Sequence, residues 1–165
     1  MESKTAVYPG SFDPVTFGHL DIIQRSVRIF ERVVVAVAQN VRKEPFLSLD
    51  DRIGLLREVT EEIPNIEVVS FGGLLVDFAR SIEASVAIRG LRAVSDFEYE
   101  LQMALTNRSL DPELETVFLM PKGRFIFLSS ALVRELSQLG GPIEKFVPEP
   151  VVRVLKMRYP DVWNS

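Results

Sequence analysis

Apolar residues fall along this chain in two alternating kinds of run. Residues 4–8, 33–38 (VVVAVA), 66–71 (IEVVSF), 85–89 (SVAIR) and 115–120 (ETVFLM) are short, rich in Val and Ile, and mostly lack strict alternation. Strands covered on both faces read this way, as in a parallel sheet. Between them apolar positions recur at helical spacing. Leu20, Ile23, Val27 and Phe30 make one stripe; Ile53, Leu56 and Val59 make a second, behind a capping-box-like Ser48-Leu49-Asp50-Asp51. A shorter helix is expected over 74–82. A longer one is expected from Asp96 to Ser109, with Phe97, Leu101, Ala104 and Leu105 on its core face. Ser129 or Ser130 should cap another, with Leu132, Val133, Leu136 and Leu139 inward and Gly140 at its C-terminal end. Pro148 to Tyr159 reads as a last helix.

Strand then helix, five times over, predicts an α/β fold: a doubly wound, five-stranded parallel sheet with C-terminal helices. No repeat, low-complexity tract or long linker divides the chain, so residues 1–165 are expected to form a single domain. Such sheets bind ligands outside the C-terminal ends of their strands. The unusual residues fall there. Ser11 to His19 follow the first strand, Arg42 and Lys43 the second, Gly72 and Gly73 the third, Arg89 to Arg92 the fourth, and PKGRFIFLSS the fifth.

Composition narrows the chemistry. There is no cysteine, which excludes disulfides, thiolate metal sites and a cysteine nucleophile. The net charge of −4 argues against nucleic acid as a partner, since such binders usually present a basic face. A small anion remains suited to the local pairs Arg42/Lys43 and Arg89/Arg92, although a solvated surface face is the plain alternative. No window approaches 18 uncharged apolar residues, and MESKTAVYPG lacks an apolar signal core. The expected location is therefore cytoplasmic, with no membrane partner.

The chain has one histidine, and it lies in YPGSFDPVTFGH, at the opening of the first predicted helix. A helix N-terminus offers unpaired N–H groups and partial positive charge, which favours phosphate. Gly10 is expected to allow close approach and an unusual φ; Pro9 and Pro14 stiffen the loop. Neither GxxxxGK[ST] nor GxGxxG is present. A lone histidine is more often structural than catalytic. A Gly/Pro-rich strand-to-helix junction at the carboxyl edge of a sheet reverses that expectation.

GSFDPVTFGH, with Thr16-Phe17-Gly18-His19, closely resembles the signature of the TxGH/HxGH nucleotidyltransferases. IRGLRAVSDFEYELQMALTNRSL, FLSSALVRE and the intervening RKEPFLSLDDR are similar to bacterial phosphopantetheine adenylyltransferases, in order and at family spacing over roughly residues 4 to 158. The TxGH element alone points to the superfamily; RGLR…DFEYE makes the match specific. One departure is Ser129-Ser130-Ala131, where the family commonly has three serines. If backbone N–H groups hold phosphate there, Ala131 loses little; if a third hydroxyl is needed, efficiency suffers.

The resemblance implies a Rossmann-like nucleotidyltransferase fold and transfer of AMP from ATP to 4′-phosphopantetheine, giving dephospho-coenzyme A and pyrophosphate. The attacking phosphate oxygen is already anionic, so the reaction needs no general base and no covalent intermediate. Catalysis must come from alignment and charge stabilisation. The resemblance further implies that His19, Lys43, Arg92 and Ser11 are catalytic. Ser11, Lys43, Leu75 and Arg89 would contact the acceptor. Ser11, Phe12, His19, Gly90, Leu91, Arg92, Glu100 and the run Phe125, Ile126, Phe127, Leu128, Ser129, Ser130 and Ala131 would form the ATP site. Mg²⁺ would come with ATP rather than in a protein cage. Coenzyme A would be a feedback ligand in the same pocket, and the assembly a homohexamer.

Each residue has a plainer reading beside this one. Ser11 could cap a turn, Arg92 could pair with Asp96 or Glu100, Glu100 could be solvated, and Leu75 could be core. A nicotinamide-mononucleotide-type adenylyltransferase or a cytidylyltransferase remains the nearest rival. A nucleotide-binding regulatory module without turnover is the rival from another class.

Overall fold

A computed structural model describes residues 4–39, 44–92 and 94–164. Lys43 and Arg42 lie outside the described residues. Five strands, β1 (Thr5–Gly10), β2 (Arg32–Ala38), β3 (Ile66–Phe71), β4 (Val86–Gly90) and β5 (Glu115–Leu119), form one sheet in the order β3-β2-β1-β4-β5. Every pairing is parallel. Each predicted strand is present to within two residues. The helices are α1 (Phe17–Ser26), α2 (Leu49–Thr60), α3 (Leu75–Ser81), α4 (Val94–Leu110), α5 (Ser130–Gln138), α6 (Glu149–Arg158) and α7 (Pro160–Trp163).

The strand residues alternate between two unequal cores. Ala6 and Tyr8 on β1, Val33, Val35 and Val37 on β2, and Val86 and Ile88 on β4 join the larger cluster, with Leu20, Ile23, Leu56, Val133 and Leu155 from helices. Val7, Ala36 and Ala87 point the other way, into a smaller cluster with Val76, Ala79 and Leu114. Both faces of these strands are buried, which is why the sequence shows continuous apolar runs. Each fully buried Val, Ile or Leu contributes about 1.5–3 kcal/mol relative to exposure. The small residues on the second face let α3 pack close to the sheet.

The strand order places a topological switch between β1 and β4. The chain leaves β1 towards β2 on one side, and later crosses to β4 on the other. A crevice opens where the two sets of connections diverge, at the carboxyl ends of β1 and β4. Gly10 ends β1 there and Gly90 ends β4.

Three expectations change. Phe97, Leu101 and Leu105 do not face the core; they are 46%, 38% and 57% exposed. The inward stripe of α4 is Asp96, Glu100, Ala104 and Asn107, spaced by four, four and three residues. At the start of the helix this stripe meets the crevice instead, through Asp96 and Glu100. Leu139 is also exposed, because α5 ends at Gln138 and Leu139 lies past its last turn. Finally, the unusual φ is not at Gly10 but two residues on, at Phe12 (φ 48°). Gly10 serves the close approach: a Cβ there would lie 3.1 Å from the Phe12 ring.

Candidate active site

The crevice holds a cavity of about 470 Å³. Of the residues the sequence singled out, Ser11, Phe12, His19, Arg89, Gly90, Arg92, Glu100, Phe125, Leu128, Ser129, Ser130 and Ala131 line it. Leu75, Leu91, Ile126 and Phe127 do not. Leu75 packs against the smaller core cluster, and Phe127 is 87% exposed. Leu91 donates its N–H to the Leu119 carbonyl at 3.1 Å, closing the end of the β4–β5 pair.

The β1–α1 loop is held by its neighbours. Both carboxylate oxygens of buried Asp13 accept backbone N–H groups, from Phe46 and Leu47 at 2.8 Å each. Ser130 donates its hydroxyl to the Pro14 carbonyl at 2.7 Å, and Arg134 donates to the Asp13 carbonyl at 2.6 Å. Thus α5 is docked onto the loop that opens α1. Across the cavity, Arg25 donates to the Met120 carbonyl, and buried Asp21 accepts the Lys122 N–H at 3.1 Å. These bonds fix Pro121 on the cavity wall.

His19 is the third residue of α1 and completes its capping box with Thr16. The Thr16 N–H donates to His19 Nδ1 at 3.0 Å. A backbone N–H can only donate, so Nδ1 is unprotonated and Nε2 carries the hydrogen. The ring packs edge-on against Phe12, with centroids 5.0 Å apart, and Phe12 packs edge-on against Tyr8 at 5.3 Å. An aromatic chain from the strand thereby sets the imidazole's angle.

The two arginines are held in different ways. Arg89 grips Glu100 with two bonds, Nε to Oε2 at 2.8 Å and Nη2 to Oε1 at 2.7 Å, and its Nη1 reaches the Pro9 carbonyl at 2.9 Å. Two of the guanidinium's five N–H groups remain for a ligand. Burial would lower the Arg89 pKa, but the Glu100 hydrogen bonds and charge outweigh it and hold the group above its usual range. Arg92 bonds Asp96 at 3.2 Å and the Leu128 carbonyl at 2.9 Å, joining β4's exit to the segment before α5.

At α5, the Ser129 hydroxyl caps the helix by accepting the Leu132 N–H at 3.1 Å. With the Ser130 hydroxyl committed to Pro14, the free donors here are the first-turn N–H groups of Ser130 and Ala131. Ala131 therefore keeps the backbone group that this corner offers. Sequence reading missed Tyr8 and Arg134, both on the cavity wall. The spacing of Arg134, four residues past Ser130, could have placed it on the same helix face. Tyr8 looked like an ordinary strand residue; only its depth shows it. Burial pushes its phenol pKa up, against the pull of Arg89 and Arg92, so it keeps its proton.

A family model described as cytidylyltransferase-like matches residues 7–136. A phosphopantetheine adenylyltransferase of Moorella thermoacetica is 57% identical over 156 residues, covering 94% of this chain and 98% of that one. The enzyme of the same name from Caldanaerobacter subterraneus subsp. tengcongensis is 52% identical over 156 residues, with the same coverage. The chain belongs to the phosphopantetheine adenylyltransferase family. It is thus a member of an enzyme family of nucleotidyltransferases serving coenzyme A biosynthesis. Its fold is shared more widely: a Plasmodium falciparum nicotinic acid mononucleotide adenylyltransferase, complexed with APC, superposes with a TM-score of 0.70 at 15% identity, covering 98% of both chains.

The electrostatics of this adenylyltransferase family member centre on His19. Burial lowers its pKa to about 4, and the charges of Arg92 and then Arg89 push in the same direction. Protonation would also set a hydrogen on Nδ1 against the Thr16 N–H. The ring is therefore neutral at pH 7, with Nε2–H as its donor. Below pH 6.5 the unfolded chain takes up a proton that the folded chain refuses until about pH 4. Stability should fall with pH across that window, by roughly 2 kcal/mol between pH 7 and 5. The ring signals of this sole histidine should titrate near pH 4 by NMR. Denaturant unfolding of His19→Gln should lack this share of the pH dependence. A ring titrating near 6.5 would contradict the assignment.

Proposed function

We propose that the cavity binds ATP and 4′-phosphopantetheine together and joins them directly. An oxygen of the acceptor phosphate forms a bond to the α-phosphorus of ATP. The bond from that phosphorus to the bridging oxygen breaks, and pyrophosphate leaves. The products are dephospho-coenzyme A and pyrophosphate. The observation that carries this reading is the His19 tautomer. Its Nε2–H is fixed by the Thr16 bond and lines a cavity that also presents two arginines and two helix starts.

We assign the roles as the resemblance implies them. His19 donates to an α-phosphate oxygen as charge builds. The Ser11 hydroxyl and the Ser11–Phe12 backbone contact phosphates near the attack point. Arg89 takes the acceptor phosphate with its two spare N–H groups. Lys43 bridges that phosphate and the α-phosphate; it lies outside the described residues. Gly90, Leu91, Arg92 and Glu100 flank the ATP, and the first turn of α5 receives its phosphates. Leu75, packed on the smaller core cluster and outside the cavity lining, is assigned to the pantetheine arm on the resemblance alone.

Mg²⁺ is expected to enter with ATP and shield its phosphates. Among the described residues no three His, Asp or Glu side chains stand grouped for a metal, and Asp96 and Glu100 are already paired with arginines. Phosphate oxygens and water are the ligands expected of an ion that travels with its substrate. Coenzyme A retains the phosphate that Arg89 selects and should compete for the same cavity. No helix among the described residues is long and apolar enough to cross a membrane. Independently of that, the kinship with coenzyme A biosynthetic enzymes supports a cytoplasmic location.

The test is pyrophosphate release from ATP with 4′-phosphopantetheine, with nicotinamide mononucleotide, and with each acceptor plus CTP in place of ATP. Turnover should appear in the first mixture alone. Turnover with nicotinamide mononucleotide would favour the nearest rival, and none in any mixture would favour a regulatory module.

Assembly is supported by α4, which shows Phe97, Leu101 and Leu105 to solvent along one side. An apolar strip of this kind suits a neighbouring subunit in a homohexamer. Leu101→Asp with Leu105→Asp should reduce the assembly to smaller species by sedimentation. A monomeric wild-type protein would overturn this reading of α4.

A further inference from the structure

Arg52, on α2, is 1% exposed, the largest fully buried side chain among the described residues. A guanidinium keeps its charge at any ordinary pH, so burial without an anion is costly. Among the described residues Arg52 has no carboxylate partner. Its Nη1 donates to two backbone carbonyls, Ser11 at 2.8 Å and Ala38 at 3.1 Å, and its Nε has no partner. Those carbonyls stand at the exits of β1 and β2. A buried charge spent on two loop carbonyls, with a donor left over, is poorly explained by stability alone.

The Ser11 carbonyl matters for what lies on the other side of its peptide. The Ser11–Phe12 bond is trans. In a trans peptide the C=O and the next N–H point in opposite directions. Holding the Ser11 carbonyl towards α2 therefore turns the Phe12 N–H away from α2. That N–H makes no hydrogen bond among the described residues, and Ser11 and Phe12 both line the cavity. Phe12 also sits at φ 48°, a left-handed conformation that costs about 1–2 kcal/mol for a residue with a side chain. Something must hold this peptide in place.

We propose that Arg52 is a positioning residue for adenylyl transfer: by gripping the Ser11 and Ala38 carbonyls it aims the Phe12 N–H at a phosphate of the bound nucleotide. This rests on the reading above that the Ser11–Phe12 backbone contacts phosphate. Arg52 touches no substrate. It acts through one peptide plane, and its effect is greatest where alignment with developing charge matters most. Small misplacements of such a donor cost on the order of 10²-fold or less.

The experiment uses the whole protein with 15N-labelled phenylalanine, as wild type, Arg52→Met and Arg52→Lys. In the wild type, ATP should shift the Phe12 amide signal downfield. In Arg52→Met that shift should be lost or halved, and kcat per folded molecule should fall about 10- to 100-fold. The KM values should stay within about threefold, since alignment rather than binding is disturbed. Arg52→Lys keeps the charge but loses the planar fork, so it should fall between the two and still fold if the Met variant does not. A wild-type Phe12 amide indifferent to ATP would overturn the phosphate reading itself. An amide that responds equally in wild type and both variants, or a kcat unchanged per folded molecule, would overturn the role of Arg52 alone. Loss of thermal stability with normal kcat would make Arg52 purely structural and overturn it too.

Discussion

Replacing His19 by alanine is expected to lower kcat by on the order of 10²–10³ while ATP still binds with similar affinity. That is the usual effect of removing one donor aimed at developing negative charge. The structure sharpens the reason. Nδ1 is occupied by the Thr16 N–H, so the ring is a fixed, neutral Nε2–H donor rather than a proton shuttle. Alanine also leaves the Thr16 N–H without its acceptor, with a stability cost of about 1 kcal/mol. Glutamine can accept from Thr16 with its amide oxygen and donate with its amide nitrogen. It should recover part of the rate and most of the stability. Single-turnover kinetics at saturating ATP, beside calorimetry of ATP binding, separate the two contributions. Loss of ATP binding with normal turnover at saturation would make His19 a ground-state ligand; wild-type behaviour of the alanine variant would remove it from the mechanism.

Arg89→Ala should have two large effects with separate causes. Affinity for 4′-phosphopantetheine should fall by on the order of 10²-fold, because a charge-assisted contact to its phosphate is lost, while ATP affinity changes little. Stability should fall by about 3–5 kcal/mol, because Glu100 is 7% exposed and would be left buried without its bidentate partner. Adding Glu100→Leu to Arg89→Met should return much of the stability by removing the stranded charge. It should not return the acceptor affinity. Calorimetry with each substrate and denaturant unfolding of the three proteins test this. Equal loss of affinity for ATP and for the acceptor in Arg89→Ala would mean that the residue serves the nucleotide.

Helix α4 shows where pattern reading stops. Its apolar positions look like any amphipathic helix, and the expected core face was Phe97, Leu101, Ala104 and Leu105. Periodicity reports that a face is apolar; it does not report whether this chain or another one covers it. The polar stripe Asp96–Glu100 turned inward because β4 delivers Arg89 and Arg92 to that spot.

The sequence by itself determined the five strands and their parallel arrangement. Strands buried on two faces need continuous Val and Ile runs, and that signal is local. It also determined that the lone histidine opens the first helix, since Gly, Pro and a capping threonine mark that junction within a few residues. Tertiary structure alone decided the rest. The hydrogen on Nε2 rather than Nδ1 of His19 depends on the direction of one backbone N–H. The Arg89–Glu100 grip joins a strand end to a helix face eleven residues on. The left-handed Phe12 and the buried Arg52 meet through the Ser11 carbonyl, which lies 41 residues from Arg52 in the chain. Contacts of this kind arise from the strand order β2-β1-β4, which brings three loop ends to one crevice. No period in the sequence encodes them, because each is a meeting of side chain and backbone set by the packing of the whole sheet.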